Sequence, residues 1–486
     1  MERNGMEWNG TNSQNIDFST KSIDPWIHGS FIKTANNNYN YNNYKIMVKI
    51  ESSYSDKDND KDKDKDSHYH SYLLDTETTD AQIETMHECQ PFFIDLATLP
   101  ASQLDHLQQV GLMANDSSSE NDICLIYQKH EQYVSKAFGT LPGSFTTLDA
   151  SRPWMIYWCL HSCDLMDKLP PEPVLIQIVQ TLQTCWNYSS SSSQSGGFGG
   201  GFRQMPHCAT TYAAILALTI IATTQEQTTA SHIAMELLDN KRQYLAPWWK
   251  QLQETNGGFR MHIDGEIDVR ASYCILSCAK LLNIPFATFA STSTSTSTST
   301  LTVQFIANCQ TYEGGFGGEP GTEAHGGYTF CAIAALALLD HLSNSTIDLP
   351  ALQGWLVRRQ MPYEGGFQGR SNKLVDGCYS FWQGGALAIL SQLDDTSTLL
   401  MDEGLLQRYI LLCAQDVNGG LRDKPSKSRD FYHSCYNLSG LSVSQHCGEL
   451  RFGHATKSKL HATHPIYNIR VERVTLMLKT FEELYP

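Results

Sequence analysis

The chain has 486 residues, enough for one large core or two domains, and its 41% hydrophobic content is that of an ordinary water-facing protein. A formal charge of −16 argues against nucleic acid as a partner, and no stretch of 18 apolar residues exists to suggest stable membrane insertion. The polar N-terminus, Met1 to Ile16, lacks an apolar signal core. The 14 cysteines are scattered without paired CxxC spacing, which reads as reduced, buried thiols in a cytoplasmic protein.

Residues 1–88 are rich in Asn, Ser, Tyr and Asp and include the alternating charge run Asp56 to Asp66. Such a segment cannot bury enough apolar surface to fold and reads as a disordered, low-complexity arm. Residues 89–486 read as one helical domain. Apolar residues recur at helical spacing, and helices are expected over 128–141 and 153–166. The second carries Trp154 and Trp158, four apart on one face.

Internal repeats follow. Gly-Gly-Phe occurs at 196–198, 257–259, 314–316 and 365–367, and Gly-Gly-Leu at 419–421; the third residues are spaced 61, 57, 51 and 54 apart. A Ser tract at 189–195 and a Ser/Thr insertion at 291–300, read as a surface loop, stretch the first two intervals. Each unit has an outer helix, the glycine turn, a polar loop, and an inner helix rich in Ala, Gly, Ser and Cys. Strand patterns are nearly absent, so the fold class is all-α. Small residues let inner helices approach closely, and a closed ring of inner helices within an outer ring is the natural result. An open solenoid remains the alternative.

Chemistry collects at one register. Nine residues beyond each turn lie His207, Asp268, His325, Asp376 and Asp430. Eleven beyond lie Ala209, Arg270, Gly327, Cys378 and Tyr432, and twelve beyond lie Tyr328, Tyr379 and His433. In a closed ring these junctions open together at one end. Asp376 has the side chain of an N-cap, which would place Cys378 in the first turn of its helix. With His433 from the next unit they form a three-ligand set of the catalytic zinc kind, with a fourth position open. The bland alternative is a capping Asp, a packed Cys and a satisfied His. Arg270, His325, Arg370 and Lys373 share the rim and suit an anion such as a phosphate ester. Trp154, Trp158, Tyr273, Phe330, Trp382 and Tyr436 would add an aromatic cavity beside it, fit for a long apolar body with an anionic head.

The glycine repeats, His325-Gly-Gly-Tyr-Thr-Phe-Cys331, the run Gly369 to Trp382 and Arg429-Asp-Phe-Tyr-His433 resemble the β subunits of protein prenyltransferases, those of the farnesyl type above all. The resemblance spans about Gln128 to the C-terminus. It implies an α/α barrel of six inner and six outer helices, and a heterodimer with a prenyltransferase α subunit. It also implies transfer of a C15 group from farnesyl diphosphate to the cysteine of a C-terminal CaaX sequence. The implied zinc ligands are Asp376, Cys378 and His433. The implied donor contacts are Arg270, Tyr273, His325, Gly326, Gly327, Tyr328, Cys331, Arg370, Ser371, Asn372, Lys373, Tyr379, Ser380, Phe381 and Trp382. Lys373 and Tyr379 would assist departure of diphosphate, and Asp423 would help hold Mg²⁺ there. Trp154, with Tyr436 beside it, would close the pocket floor and so favour C15 over C20. Trp154, Trp158, His207, Ala209 and Tyr432 would meet the acceptor peptide. Geranylgeranyl-type β subunits and a non-catalytic helical-repeat scaffold are the alternative readings. Thr210 and the loop 200–205 depart from the farnesyl pattern near the peptide wall, which leaves the preferred last acceptor residue open.

Overall fold

The structure, a computed structural model, describes residues 76–486 apart from 94–98, 115–121, 191, 225, 227, 290–297 and 394–398. Most of the expected N-terminal arm lies outside the described residues. Its last part corrects the reading, because Glu77–Cys89 is a helix, α1. Its own sequence is weakly apolar, so periodicity did not reveal it. Docking holds it: Gln82 donates to Glu364 Oε1 at 2.6 Å. Beyond it Phe93 lies 3.9 Å beneath the Arg408 guanidinium and Phe92 5.2 Å from that of Arg422.

In chain order follow α2 (Ala101–Val110), α3 (Tyr127–Val134), α4 (Arg152–Leu165), α5 (Glu172–Cys185), α6 (Cys208–Ala222), α7 (Thr229–Leu252), α8 (Val269–Leu281) and α9 (Thr298–Asn308). Then come α10 (Gly326–Leu338), α11 (Leu349–Val357), α12 (Tyr379–Leu390), α13 (Glu403–Arg408, continued by a π-helix over Tyr409–Ala414), α14 (Phe431–His446) and α15 (Val471–Leu484). Helices α4, α6, α8, α10, α12 and α14 each pack on the next, and α14 packs back on α4. The ring is closed, and the open solenoid is excluded. Helices α3, α5, α7, α9, α11 and α13 form the outer layer. The inner helices are buried all round, as in α6, where Ala213 to Leu218 are wholly buried. Close approach is visible at Gly440, where an added Cβ would stand 2.4 Å from the Ser380 backbone.

The repeat motif has a mechanical reason. Gln253, Gln310, Gln360 and Gln415, just after their outer helices, bridge to Phe259, Phe316, Phe367 and Leu421. The first glycine sits against the backbone of the next outer helix. At Gly314 (φ +104°) an added Cβ would meet the Ala351 carbonyl oxygen at 2.1 Å; at Gly419 (φ +88°) it would meet that of Lys129 at 2.0 Å. Gly419 therefore joins the last repeat to the first. His130 completes that seam: its Nδ1 accepts from Gly420 N–H at 2.8 Å, and its Nε2 donates to Gln415 Oε1 at 2.7 Å.

Strands also depart from expectation. The first repeat is a hairpin of β1 (Trp186–Ser189) and β2 (Ser192–Phe198), with Trp186 opposite Phe198. Ser189 of the Ser tract ends the first strand, and Ser192 to Ser195 open the second. Part of the Ser/Thr insertion, 291–297, lies outside the described residues, and its last three residues open α9 rather than a loop.

Candidate functional site

The phasing of ionisable residues with the repeat has a local cause. His207, Asp268 and His325 each accept the N–H two residues on, at 3.1, 2.8 and 3.0 Å, and Asp430 accepts that of His433 at 2.7 Å. These four are N-caps of inner helices, so their register alone does not define a site. The fourth unit differs. Asp376 accepts Cys378 N–H at 2.9 Å, but α12 begins only at Tyr379 and Cys378, not Asp376, holds the cap position. The delay leaves Gly377 in a turn, its N–H donated to the Asp423 carbonyl at 2.9 Å.

That turn brings Asp376, Cys378 and His433 together, their ligand atoms all within 4.8 Å of one another. His433 Nε2 lies 3.2 Å from Asp376 Oδ1. Its Nδ1 lies 2.6 Å from Asp430 Oδ2. Asp430 thus fixes the ring with Nε2 facing the trio, the usual arrangement behind a metal-bound imidazole. Burial would lower the His433 pKa, but the Asp376 and Asp430 carboxylates outweigh it and raise it to about 10. Burial opposes ionisation of Asp376 too, yet hydrogen bonds from His433 and the Cys378 N–H hold its carboxyl below the usual range. Burial, then the Asp376 charge, push the Cys378 thiol well up. A thiolate there needs a cation beside it, and one soft, one borderline and one hard donor suit Zn²⁺.

A polar string runs from this centre along the rim. His325 Nδ1 accepts from Gly327 N–H, so its Nε2 carries the proton and donates to the Tyr379 oxygen at 3.0 Å. Burial, then Arg370, lower the His325 pKa and keep it neutral. The Tyr379 oxygen accepts in that bond, so its own proton is not used there. Tyr328 lies 5.3 Å from His325, centroid to centroid, with the Arg270 guanidinium 5.5 Å from its ring. Arg270 is paired with Asp268 at 2.5 Å and Arg370 with Glu323 at 2.8 Å. Lys373 is exposed and has no ion pair among the described residues.

Below the rim the aromatic rings close a circle. From Trp154 it passes to Trp158 (5.6 Å), Tyr432 (5.4 Å) and Tyr436 (4.8 Å). It continues to Trp382 (4.5 Å), Phe330 (5.3 Å), Tyr273 (5.4 Å) and Tyr212 (5.3 Å), and returns to Trp154 (5.9 Å). All six inner helices contribute. Tyr436 does not stand beside Trp154; it packs on Trp382 and Tyr432, and Tyr212 takes the place next to Trp154.

Other anticipated residues lie elsewhere. The Ser371 hydroxyl is held between Glu313 (2.8 Å) and Arg359 (2.9 Å). Ser380 faces Gly440 on α14, and Phe381 is wholly buried. Asn372 takes φ +57° in the loop, Gly326 abuts Gln383, and Cys331 is buried near Arg270. The His207 ring lies 5.3 Å from that of His262, tilted by 35°, and burial, then His262, lower its pKa to about 4. Ala209 follows it in the first turn of α6. The Asp423 carboxylate is paired with buried Lys424 at 2.8 Å, and burial, then Asp376, raise its pKa. Sequence reading missed Asp430 as the partner of His433, although their spacing of three on a helix start was a signal. It also missed Tyr212 in the circle.

Among the described residues no helix is long and apolar enough to cross a membrane. The family described as "Prenyltransferase alpha-alpha toroid domain" matches residues 125–469. The protein farnesyltransferase subunit beta of Arabidopsis thaliana is 37% identical over 394 residues, 68% of this chain and 76% of that one. That of Schizosaccharomyces pombe is 37% identical, over 75% of this chain and 94% of its own length. In fold the chain is similar to Candida albicans protein geranylgeranyltransferase-I complexed with GGPP, with a TM-score of 0.60 at 24% identity, covering 74% of this chain and 99% of that chain. From the closed helical ring, the matched domain and these relatives, the chain belongs to the protein farnesyltransferase β-subunit family.

Proposed function

We propose that this chain is the catalytic half of a heterodimer with a prenyltransferase α subunit. It transfers the C15 group of farnesyl diphosphate to the cysteine thiol of a CaaX-terminated protein, in the cytoplasm. The observation that carries the reading is the convergence of Asp376, Cys378 and His433, with His433 oriented by Asp430, at the edge of the aromatic circle. The donor set fits one Zn²⁺. Bound there, Zn²⁺ would take the acceptor sulfur as a fourth ligand and lower its pKa into the thiolate range at neutral pH.

The chain's own residues supply the rest. The aromatic circle surrounds the apolar body of the donor and excludes water from it. The acceptor sulfur forms its bond to C1 of the isoprenoid as the C1–O bond breaks, and diphosphate leaves with the electron pair. Charge grows on that leaving group beside the Tyr379 hydroxyl, polarised by His325, and beside the unpaired Lys373 ammonium. Arg270 and Arg370 strengthen the local field, although each already faces a carboxylate. Asp423 would hold Mg²⁺ at the diphosphate once released from Lys424. Trp158, His207, Ala209 and Tyr432 line the side open to the peptide. Trp154 and Tyr212 fill the space a longer donor would need.

The test is co-expression with an α subunit and transfer to a CaaX peptide from C15 and C20 donors. The reading predicts a C15 preference and a shift towards C20 in Trp154→Thr. A wild-type preference for C20, or no transfer from either donor, would overturn it.

A further inference from the structure

The underside of the aromatic circle rests on a turn from the far end of the chain. Thr463 and Arg470 bridge, His464 N–H donates to Ile469 O at 2.8 Å, and Asn468 N–H donates to His464 O at 2.9 Å. Asn468 takes the left-handed φ of +54° needed to close so tight a loop. The turn is anchored from outside by Arg473, 2.7 Å from the wholly buried Asp164 of α4. Its apex is buried, and its three successive carbonyls meet three tyrosine hydroxyls from three neighbouring inner helices. Tyr273 donates to Ile466 O at 2.6 Å and Tyr157 to Asn468 O at 2.7 Å. Tyr212, 3.1 Å from Tyr467 O and 2.8 Å from the Tyr273 oxygen, shares its proton between them. No backbone N–H among the described residues takes these carbonyls, so the hydroxyls alone satisfy buried acceptors.

We propose that this tyrosine latch makes the turn Ile466–Asn468 the rigid floor of the donor pocket, so that the three hydroxyls, and not ring bulk alone, set the longest isoprenoid the enzyme accepts. The proposal deepens the isoprenoid-transfer reading above and rests on it. The physical argument is one of stiffness. A ring packed against rings can shift rotamer to admit another isoprene unit. A backbone turn held by three buried hydrogen bonds yields only by leaving carbonyls unpaired away from water. Only α4, α6 and α8 contribute hydroxyls to the turn; Phe330 on α10 has none to offer. The floor is therefore stiff on the side of Trp154 and compliant on the other. Tyr157, whose ring stacks 5.8 Å from His161 and away from the rim, acts here as a positioning residue.

The experiment uses the heterodimer carrying Tyr157→Phe, Tyr273→Phe, or both. Phenylalanine keeps each ring and removes only the latch. Two readouts are taken: hydrogen exchange of the segment 463–470, and the ratio of kcat/KM for C20 against C15 donors with one CaaX peptide. The expected result is faster exchange in that segment together with a rise of at least about tenfold in the C20:C15 ratio, with peptide KM within about twofold of wild type, tenfold being about 1.4 kcal/mol of discrimination. Faster exchange with an unchanged ratio would overturn the proposal, because the latch would then be structural only. If one variant fails to fold, the other carries the same test, since each frees a different carbonyl. A wild type that prefers C15, with variants that keep its ratio, sinks the latch alone. A wild type that prefers C20 sinks both the latch and the reading beneath it.

Discussion

Replacing Asp430 separates two jobs that one carboxylate performs. Its Oδ1 caps α14 by accepting His433 N–H at 2.7 Å, and its Oδ2 lies 2.6 Å from His433 Nδ1. Asparagine is as good an N-cap as aspartate, so Asp430→Asn keeps the helix start and removes only the charge that orients and polarises the imidazole. Loss of such an outer partner typically weakens metal binding about 10–100-fold, or about 1.4–2.7 kcal/mol. Asp430→Ala loses the cap as well and adds about 1 kcal/mol of destabilisation. The assay is zinc competition against a chromophoric chelator on the purified heterodimer, with thermal unfolding alongside. The account expects both variants to lose zinc affinity by a similar factor, and only the alanine variant to unfold earlier. Zinc affinity of Asp430→Asn within about twofold of wild type would refute the reasoning, because Asp430 would then be a cap and nothing more.

Three further outcomes follow from the same geometry. Gly321 and Gly419 share φ +88°, but an added Cβ meets nothing within 4 Å at the first and a backbone oxygen at 2.0 Å at the second. In thermal unfolding Gly321→Ala should cost about 1 kcal/mol and Gly419→Ala at least about 3 kcal/mol, since it forces the ring seam apart; equal losses would deny the seam its role. Burial lowers the His130 pKa to about 4 from an ordinary 6.5, so the unfolded chain binds this proton more readily. Stability from this group is therefore complete above pH 6.5 and is lost as pH falls towards 4, by up to about 3 kcal/mol. Denaturant titrations across that window should show a shallower pH dependence in His130→Gln by about one proton, and an identical slope would count against the neutral seam histidine. Finally, Cys378→Ala should lose zinc and acceptor-peptide binding while retaining farnesyl diphosphate, read by metal analysis and direct donor titration. Parallel loss of the donor would mean that the two subsites are not separate.

The ring was readable because glycine turns recur at a fixed register and each begins the same grammar. The convergence of Asp376, Cys378 and His433 was readable because two of the three sit at offsets that capping does not explain, Cys378 two residues beyond the register of Asp376 and His433 three beyond it in the next unit. The phasing of His207, Asp268, His325 and Asp430 invited a functional reading but is sufficiently explained by the need of each inner helix for an N-cap. Helix α1 was hidden because it docks on a partner far along the chain, Glu364, which accepts from Gln82. The hairpin at 186–198 was hidden because a serine run carries no alternation of apolar and polar residues. Tyr157 and Asn468 meet across 311 positions of sequence, and no local pattern announces a hydroxyl that waits for a carbonyl so distant.

The central claim is that three side chains from two neighbouring units hold one zinc ion to which an acceptor sulfur is added. X-ray absorption at the zinc edge of the purified heterodimer measures this directly. The account predicts one zinc per β chain with a single sulfur neighbour from Cys378, rising to two sulfurs when a CaaX peptide is added. Absence of zinc, or a sulfur count that peptide leaves unchanged, would contradict it.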